Sequence, residues 1–316
     1  MTLSQSTKDR LDYAMGPWGR AASDEINQLL GYAAGTTYYV QSTSAAASDT
    51  SGRLGTSRDE PFATLDYAIG RTTASKGDTI VLLPGHAETT TAIALDVIGI
   101  RIIGLGYGRN RPTLTATTAA SDLLSVTAAN CEIHNVRFVG AASGCTALLN
   151  IEAADFRATR CSFEHGAAPL SAVTVVAASH RFVLEDCDWR GTAAGPDYCI
   201  NIEAGAGLTC NDWRVIRPYA AYGVSAGLDN AFLQLNVPGS GYAILDAVIL
   251  GFDTLAIDIN SSTLAVGDGI MSGYAAASGA ITFANAIDAG GCLPMEFLIS
   301  DDPATRGKEW PTATPT

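Results

Sequence analysis

Three short stretches of the chain carry side chains that could do chemistry. The first is His86-Ala87-Glu88, inside GDTIVLLPGHAET. An H-x-E triplet is half of a zinc-dependent deaminating centre, where His ligates the metal and Glu moves protons; the other half is a P-C-x-x-C pair of ligands. The seven cysteines, at 131, 145, 161, 187, 199, 210 and 292, contain no C-x-x-C, and no other His lies near in sequence. The triplet therefore reads as a strand end with a Pro-Gly turn, and no metal and no cofactor is expected.

The second stretch is LEDCDWRG. Alternate residues of a strand share a face, so Asp186 and Asp188 flank an inward Cys187 and point the same way, with Arg190 next along. Two acids on one face suit a glycoside-cleaving pair, or calcium ligation beside an Arg base. The third stretch, SFEHG, offers Glu164 and His165, which are expected at a turn. GLGYG at 104–108 lacks the G-x-G-x-x-G spacing and a following helix, and is expected to be a turn between strands. His134 and His180 stand alone within strand-rich segments and are expected to be filler, buried or on the surface.

Whether the acids act together depends on the elements that carry them. From about residue 95 a pattern of apolar-x-x-apolar-x-large apolar recurs: Ile100/Ile103/Leu105, Ile133/Val136/Phe138, Ala158/Cys161/Phe163, Leu184/Cys187/Trp189 and Cys210/Trp213/Val215. From the second set onward the spacing is 25, 26 and 26 residues, and a companion strand accompanies it: LLSVTA, LLNIEA, TVVAAS, CINIEA and YGVSAG. A period in the mid-twenties built from strands excludes helical repeats, and the leucine-rich pattern is absent. The expectation is an all-β fold, a right-handed single-stranded parallel β-helix of roughly nine coils over residues 78–300, about 40 Å long at the spacing of paired strands. Cys161 and Cys187 should then stack in the core, as should Phe138, Phe163 and Trp189.

The same alignment orders the outward residues into two columns, Asn135/Arg160/Asp186/Asp212 and Arg137/Ser162/Asp188/Arg214. Arg160 beside Asp186 and Arg214 beside Asp188 are opposite charges one strand apart, as on an ordinary solvated sheet face, which leaves Asp186 beside Asp212 as the adjacent acid pair. No catalytic residue is assigned on this basis; Asp186, Asp188 and Arg190 form the alternative, catalytic set.

Composition narrows the functional classes. The chain has 316 residues, 47% hydrophobic and 16% charged, and a net charge of −13. So acidic a chain is a poor partner for nucleic acid, which demands Lys/Arg surface. No apolar run approaches a membrane span, and the start MTLSQSTKDRLDYAMG lacks the basic-then-apolar order of a secretory signal, so no membrane is expected. The cysteines are expected to be reduced core thiols.

Three parts are expected along the chain. Residues 1–35 hold a short helix capped by Ser23, with Ile26, Leu29 and Leu30 on one face, and upstream Leu11, Tyr13, Met15 and Trp18. This apolar segment either folds back or docks on another chain. Residues 36–300 form the β-helix; within them, 36–76 supply a lead-in strand, a polar loop and a helix opened by Pro61, whose stripe of Phe62, Leu65, Ala68 and Ile69 would cover the N-terminal end of the rod. Residues 301–316 are a polar tail.

The run YYVQSTSAAASDTSGRLGTSRDEPFATLDYAIGRTTASKGDTIVLLPGHAET resembles the N-terminal lead-in of pectate-lyase-like β-helix proteins, with its YYV strand, PFATL helix and GDTI-x-x-x-PG strand. The match is specific over 37–89 and periodic over 95–290, and its PGHAET ending is most similar to β-helix proteins of tailed-bacteriophage particles. The resemblance implies a virion structural protein, a head decoration anchored by residues 1–35, with the major capsid protein as partner, a homotrimer, and assembly in the host bacterial cytoplasm. Head is preferred to tail because the chain has no separate C-terminal receptor or trimerisation domain. Two alternatives accompany it: a polysaccharide lyase, hydrolase or tailspike acting through Asp186, Asp188 and Arg190, and a glycan-binding adhesin without catalysis.

Overall fold

Thr79–Leu82 reads TIVL and buries all its side chains, as a β-branched, apolar run does when a parallel sheet is covered on both faces. In the computed structural model it carries the first coil's rung in the first of three parallel ladders, with the lead-in strand Thr37–Val40 paired in register on its outer edge. The structure describes residues 35–252, apart from short connections at 118, 142–143, 166–170, 177, 192–195, 204, 206–207, 223–230, 238 and 242; beyond 252 it describes five further strand segments. The expected docking residues Leu11, Tyr13, Met15, Trp18, Ile26 and Leu29, Cys292 and most of the C-terminal tail lie outside the described residues.

The first ladder stacks Thr79–Leu82, Arg101–Gly104, Glu132–His134, Arg157–Thr159, Val183–Glu185 and Arg214–Ile216, then continues through Ala243–Phe252, Val266–Gly273 and Glu296–Ser300. Counted from Thr79, that order makes nine rungs among the described residues, the number the period predicts for 78–300. The second ladder runs from Ala87–Thr90 through Thr113–Ala116, Arg137–Gly140, Ser162–His165 and Asp188–Gly191 to Tyr219–Tyr222 and Ala243–Phe252. The third runs from Ile93–Leu95 through Leu124–Val126, Ala147–Ile151, Ser171–Val175, Tyr198–Ile202 and Ala231–Leu235 to Leu255–Ile259 and Ile281–Phe283. The fold is a right-handed parallel β-helix, the hand that parallel crossovers take.

Inward positions stack rung on rung. Phe138, Phe163 and Trp189 stack with their rings nearly parallel, centroids 5.2 and 5.3 Å apart; the thiols of Cys161 and Cys187 meet in the neighbouring column. Offset aromatic pairs of this kind add about 1 kcal/mol each beyond the area they bury.

The last coils depart from the expected register. Leu184 pairs with Val215 rather than Cys210, and Asp188 with Tyr219 rather than Arg214. Trp213 stacks on Phe182, centroids 5.5 Å apart, and so belongs to the column of Phe182 and not to that of Cys187, where a constant period puts it. The connection from the third ladder to the first lengthens from residues 152–156 to 176–182 to 203–213. A surface connection can lengthen at little cost without disturbing the stack, so a constant period slips there. For the same reason the strand paired with Tyr198–Ile202 is Ala231–Leu235, not YGVSAG. At the other end Ile102, not Ile100, pairs with Ile133.

The helix is also shorter than expected, Leu65–Ile69, with Thr64 as N-cap accepting a hydrogen bond from the Tyr67 N–H. Phe62 precedes it in a bridge to Val40. The buried stripe is nonetheless Phe62, Leu65, Ala68 and Ile69, and the helix packs on the first rung, covering an end that would expose unpaired strand edges and core.

Candidate functional site

His86 and Glu88 serve that end cap. Glu88 pairs in register with Leu114, which puts a carboxylate at the head of the inward column that continues as Leu114, Phe138, Phe163 and Trp189. Its Oε2 accepts the Leu65 N–H at 2.8 Å, a first-turn donor that the helix itself cannot satisfy. His86 Nε2 stands 3.3 Å from the same oxygen, while His86 Nδ1 accepts the Ser42 N–H at 3.0 Å. The triplet thus ties the lead-in loop, the helix and the first coil together. Among the described residues no group of three or more His, Cys, Asp and Glu could hold a metal ion.

The chemistry-bearing residues of the later coils gather at the corner between the first and second ladders. Each turn there is one residue in left-handed backbone: Asn135 (φ 57°), Arg160 (φ 53°), Asp186 (φ 53°) and Arg217 (φ 49°). Asn and Asp tolerate this conformation; for Arg it costs on the order of 1 kcal/mol. Asn135 Nδ2 donates to the carbonyls of Gly104 at 2.8 Å and Gly106 at 3.0 Å. Gly104 itself must lack a Cβ, which would stand 2.3 Å from the Asn135 oxygen.

The corner column and the loop after Gly104 enclose an open groove of about 1020 Å³. Arg109, Arg111, Arg137, Arg160 and Arg190 line it with Glu164, Asp186 and Asp188, and Tyr107 stands on its rim, 94% exposed. The structure therefore brings Asp186, Asp188 and Arg190 together, as their spacing implies. It separates Asp212 from them. Asp212 falls in the column of Asp155 and Arg181, and the residue below Asp186 is Arg217.

Arginines hold the groove's carboxylates. Arg217 grips Asp186 with two parallel bonds, Nε to Oδ1 at 2.6 Å and Nη2 to Oδ2 at 3.0 Å, and this guanidinium holds the Asp186 carboxyl below the usual range. Asp188 Oδ2 accepts the Ser162 hydroxyl at 2.7 Å and Arg190 Nε at 2.9 Å, with Arg111 3.8 Å from Oδ1. Arg137 pairs with Glu164. Arg111 also donates to the Arg160 carbonyl, bridging the groove from its loop side. Just outside, Arg157 and Arg217 both bind Glu185 and lower its pKa. Arg109, among the described residues, makes no such pair and is exposed.

Glu164 and His165 lie on the strand Ser162–His165, not at a turn. Glu164 faces the groove and His165 the interior, 1% exposed. His165 Nδ1 donates to the Arg190 carbonyl at 3.1 Å, near Tyr222 Oη at 3.4 Å, which in turn contacts Cys199 Sγ at 3.0 Å. Burial drives the His165 pKa down to about 4, so the ring is neutral at pH 7. His134 lines the groove, and His180 Nδ1 accepts the Asn211 N–H at 3.1 Å. The six described cysteines are free and buried; burial raises the thiols of Cys145 to about 11 and Cys210 to about 12.

Sequence reasoning missed Arg109 and Arg111. Their signal was the Gly-rich GLGYGRNRP itself, which delivers two arginines immediately after a turn.

No family model and no curated protein matches the chain. Among solved structures the chain is similar to a pectate lyase, with a TM-score of 0.53 and 12% identity over 88% of this chain and 81% of that one. A rhamnogalacturonan lyase gives a TM-score of 0.48 at 14% identity, covering 84% of this chain and 68% of that one. A pectin methylesterase in complex with a hexasaccharide gives 0.45 at 12% identity, covering 86% and 91%. At such identity the likeness to the pectate lyase establishes the fold, and the site must be judged by its own chemistry.

Proposed function

We propose that this β-helix is a non-enzymatic structural protein of a tailed-bacteriophage particle. In this reading it decorates the head, residues 1–35 dock it on the major capsid protein, the rods stand as a homotrimer, and the groove is free to meet a surface glycan. Assembly takes place in the host bacterial cytoplasm, where the buried free thiols stay reduced.

The observation that carries the non-enzymatic part is the pairing of the groove acids. A glycosidase requires one carboxyl kept protonated by a raised pKa beside one that is ionised. Here Asp186 is shifted the opposite way by Arg217, while Asp188 and Glu164 are held by Arg190 and Arg137. The decoration part is supported by the resemblance of the PGHAET ending, residues 84–89, to β-helix proteins of tailed-bacteriophage particles.

The test is co-sedimentation of the full-length protein with capsids assembled without it, beside a variant lacking residues 1–35. Binding that requires the segment is the expected result; a full-length chain that never binds capsids would overturn the docking role. A second reading, a carbohydrate-active enzyme, is favoured by the lyase-like fold and by a groove that gathers Asp186, Asp188 and Arg190. Release of reducing or unsaturated ends from a panel of acidic polysaccharides, abolished by Asp186→Ala, would establish it in place of the first.

A further inference from the structure

The chain is acidic, yet its corner groove is not. Against a net charge of −13 for the whole chain, the groove is lined by five arginines and three acids, a local charge of +2. Each acid also has a guanidinium of its own: Asp186 has Arg217 from outside the groove, Asp188 has Arg190, and Glu164 has Arg137. Arg109 and Arg111 stand beyond that count. Arg109 is exposed, and Arg111 reaches Asp188 only at 3.8 Å. Donors are in excess within the wall as well, since Arg111 Nε and Arg137 Nε are buried and find no acceptor among the described residues, a rarity in a folded chain.

The loop that carries these two arginines is tied at several points. Gly108–Asn110 forms a single 3-10 turn, the Gly85 N–H donates to the Asn110 carbonyl at 2.7 Å, and Asn135 Nδ2 holds the Gly104 and Gly106 carbonyls. Gly106 lies at φ 113°, and a Cβ there would stand 2.3 Å from the Asn110 oxygen. A loop fixed in this way presents Tyr107 and Arg109 with little ordering left to be done when a ligand arrives. Tyr107, 94% exposed, offers its ring to water on the groove's rim, two residues from Arg109.

We infer that the groove binds a sugar bearing a carboxylate, the acidic unit of a surface glycan. Three features of the lining select this class. The surplus of guanidinium calls for an anion, held by charge-assisted and bidentate hydrogen bonds. Asp188 and Glu164, with side chains 18% and 33% exposed, still offer carboxylate oxygens, which calls for hydroxyl donors on the same ligand. Nucleic acid, charged at every phosphate, would meet these two acids with like charge. The exposed ring of Tyr107 calls for an apolar edge, which a pyranose supplies with its C–H groups. The floor runs over the four rungs that end in Gly104, His134, Thr159 and Glu185, a length of about 14 Å at the spacing of paired strands, enough for a short oligosaccharide. This rests on the reading above in which the groove is free to meet a glycan, and it does not depend on the capsid.

The experiment is titration calorimetry of the full-length protein with a trisaccharide of glucuronic acid and with the glucose trisaccharide of the same linkage, repeated on Arg109→Gln and on Tyr107→Ser. Both side chains stand exposed on the loop, so both variants should fold, which circular dichroism checks; should one misfold, the other gives the same readout. The acidic trisaccharide is expected to bind about tenfold or more tightly than the neutral one, and Arg109→Gln to lose about tenfold, as when a hydrogen bond to a charged group is removed. Equal affinity for the two trisaccharides, or binding of neither, would overturn the acidic-sugar site. Undiminished binding in both variants would put the sugar elsewhere and overturn it equally. Inorganic phosphate binding as tightly as the acidic trisaccharide, and weakened by the same Arg109→Gln, would reveal an unselective anion patch and overturn the sugar assignment. Cleavage of the bound trisaccharide would overturn the non-enzymatic reading while leaving this site standing, and a chain that binds the sugar but never binds capsids would lose the docking role alone.

Discussion

Removing the Glu88 carboxylate should loosen the N-terminal cap specifically. In Glu88→Ala the Leu65 N–H, which donates to Oε2 at 2.8 Å, loses its acceptor in a buried setting. A hydrogen bond to a charged group contributes about 1.5–3 kcal/mol, and an orphaned buried donor costs about 1–3 kcal/mol. These overlap rather than add, so about 3 kcal/mol is expected, equivalent to roughly a hundredfold in an opening equilibrium. The loss should be local, because Glu88 heads its column and contacts the helix rather than the middle coils. Native-state hydrogen exchange is the assay. The Leu65 amide should exchange about a hundredfold faster, while Leu149 and Val173, deep in the third ladder, keep their protection. Glu88→Gln keeps an acceptor and should recover most of the effect. If Leu65 exchanges at the wild-type rate in Glu88→Ala, the cap is held by the helix's apolar stripe and the hydrogen-bonding account is wrong.

Phe163→Ala opens a gap between Phe138 and Trp189, which both stack on it; a loss of about 3–5 kcal/mol is expected, measured as a drop in the denaturant midpoint, with Phe163→Leu milder. His165 has a folded pKa of about 4 against about 6.5 unfolded, so the unfolded chain binds the extra proton. Its contribution is constant above pH 6.5 and stability falls as pH drops toward 4, by roughly 3 kcal/mol in all; His165→Phe should flatten that part of the pH–stability curve. Asp186→Asn breaks an exposed pair with Arg217 and should cost at most about 1 kcal/mol; a larger loss in thermal unfolding would show that the pair is less solvent-screened than its exposure implies. Arg160→Asn relieves a left-handed residue (φ 53°) in the column headed by Asn135, so its melting temperature should stay level or rise, corresponding to at most about 1 kcal/mol.

The sequence by itself determined what repeats locally. Inward and outward alternation is a property of one strand, so the stacks Phe138/Phe163/Trp189 and Cys161/Cys187, the buried stripe of the helix and the shared face of Asp186 and Asp188 were all legible. Only the tertiary structure decided what lies beside what. Lateral register depends on the length of each connection, and once that connection grew, Arg217 took the place beside Asp186 that a fixed period gives to Asp212. The same shift put Ile216 and Tyr219 beneath Glu185 and Asp188. Arg111, distant in sequence, reaches Asp188 because a loop folds over two rungs. A strand records its own pleat; its neighbours are chosen by the chain between strands, where the repeat carries no information.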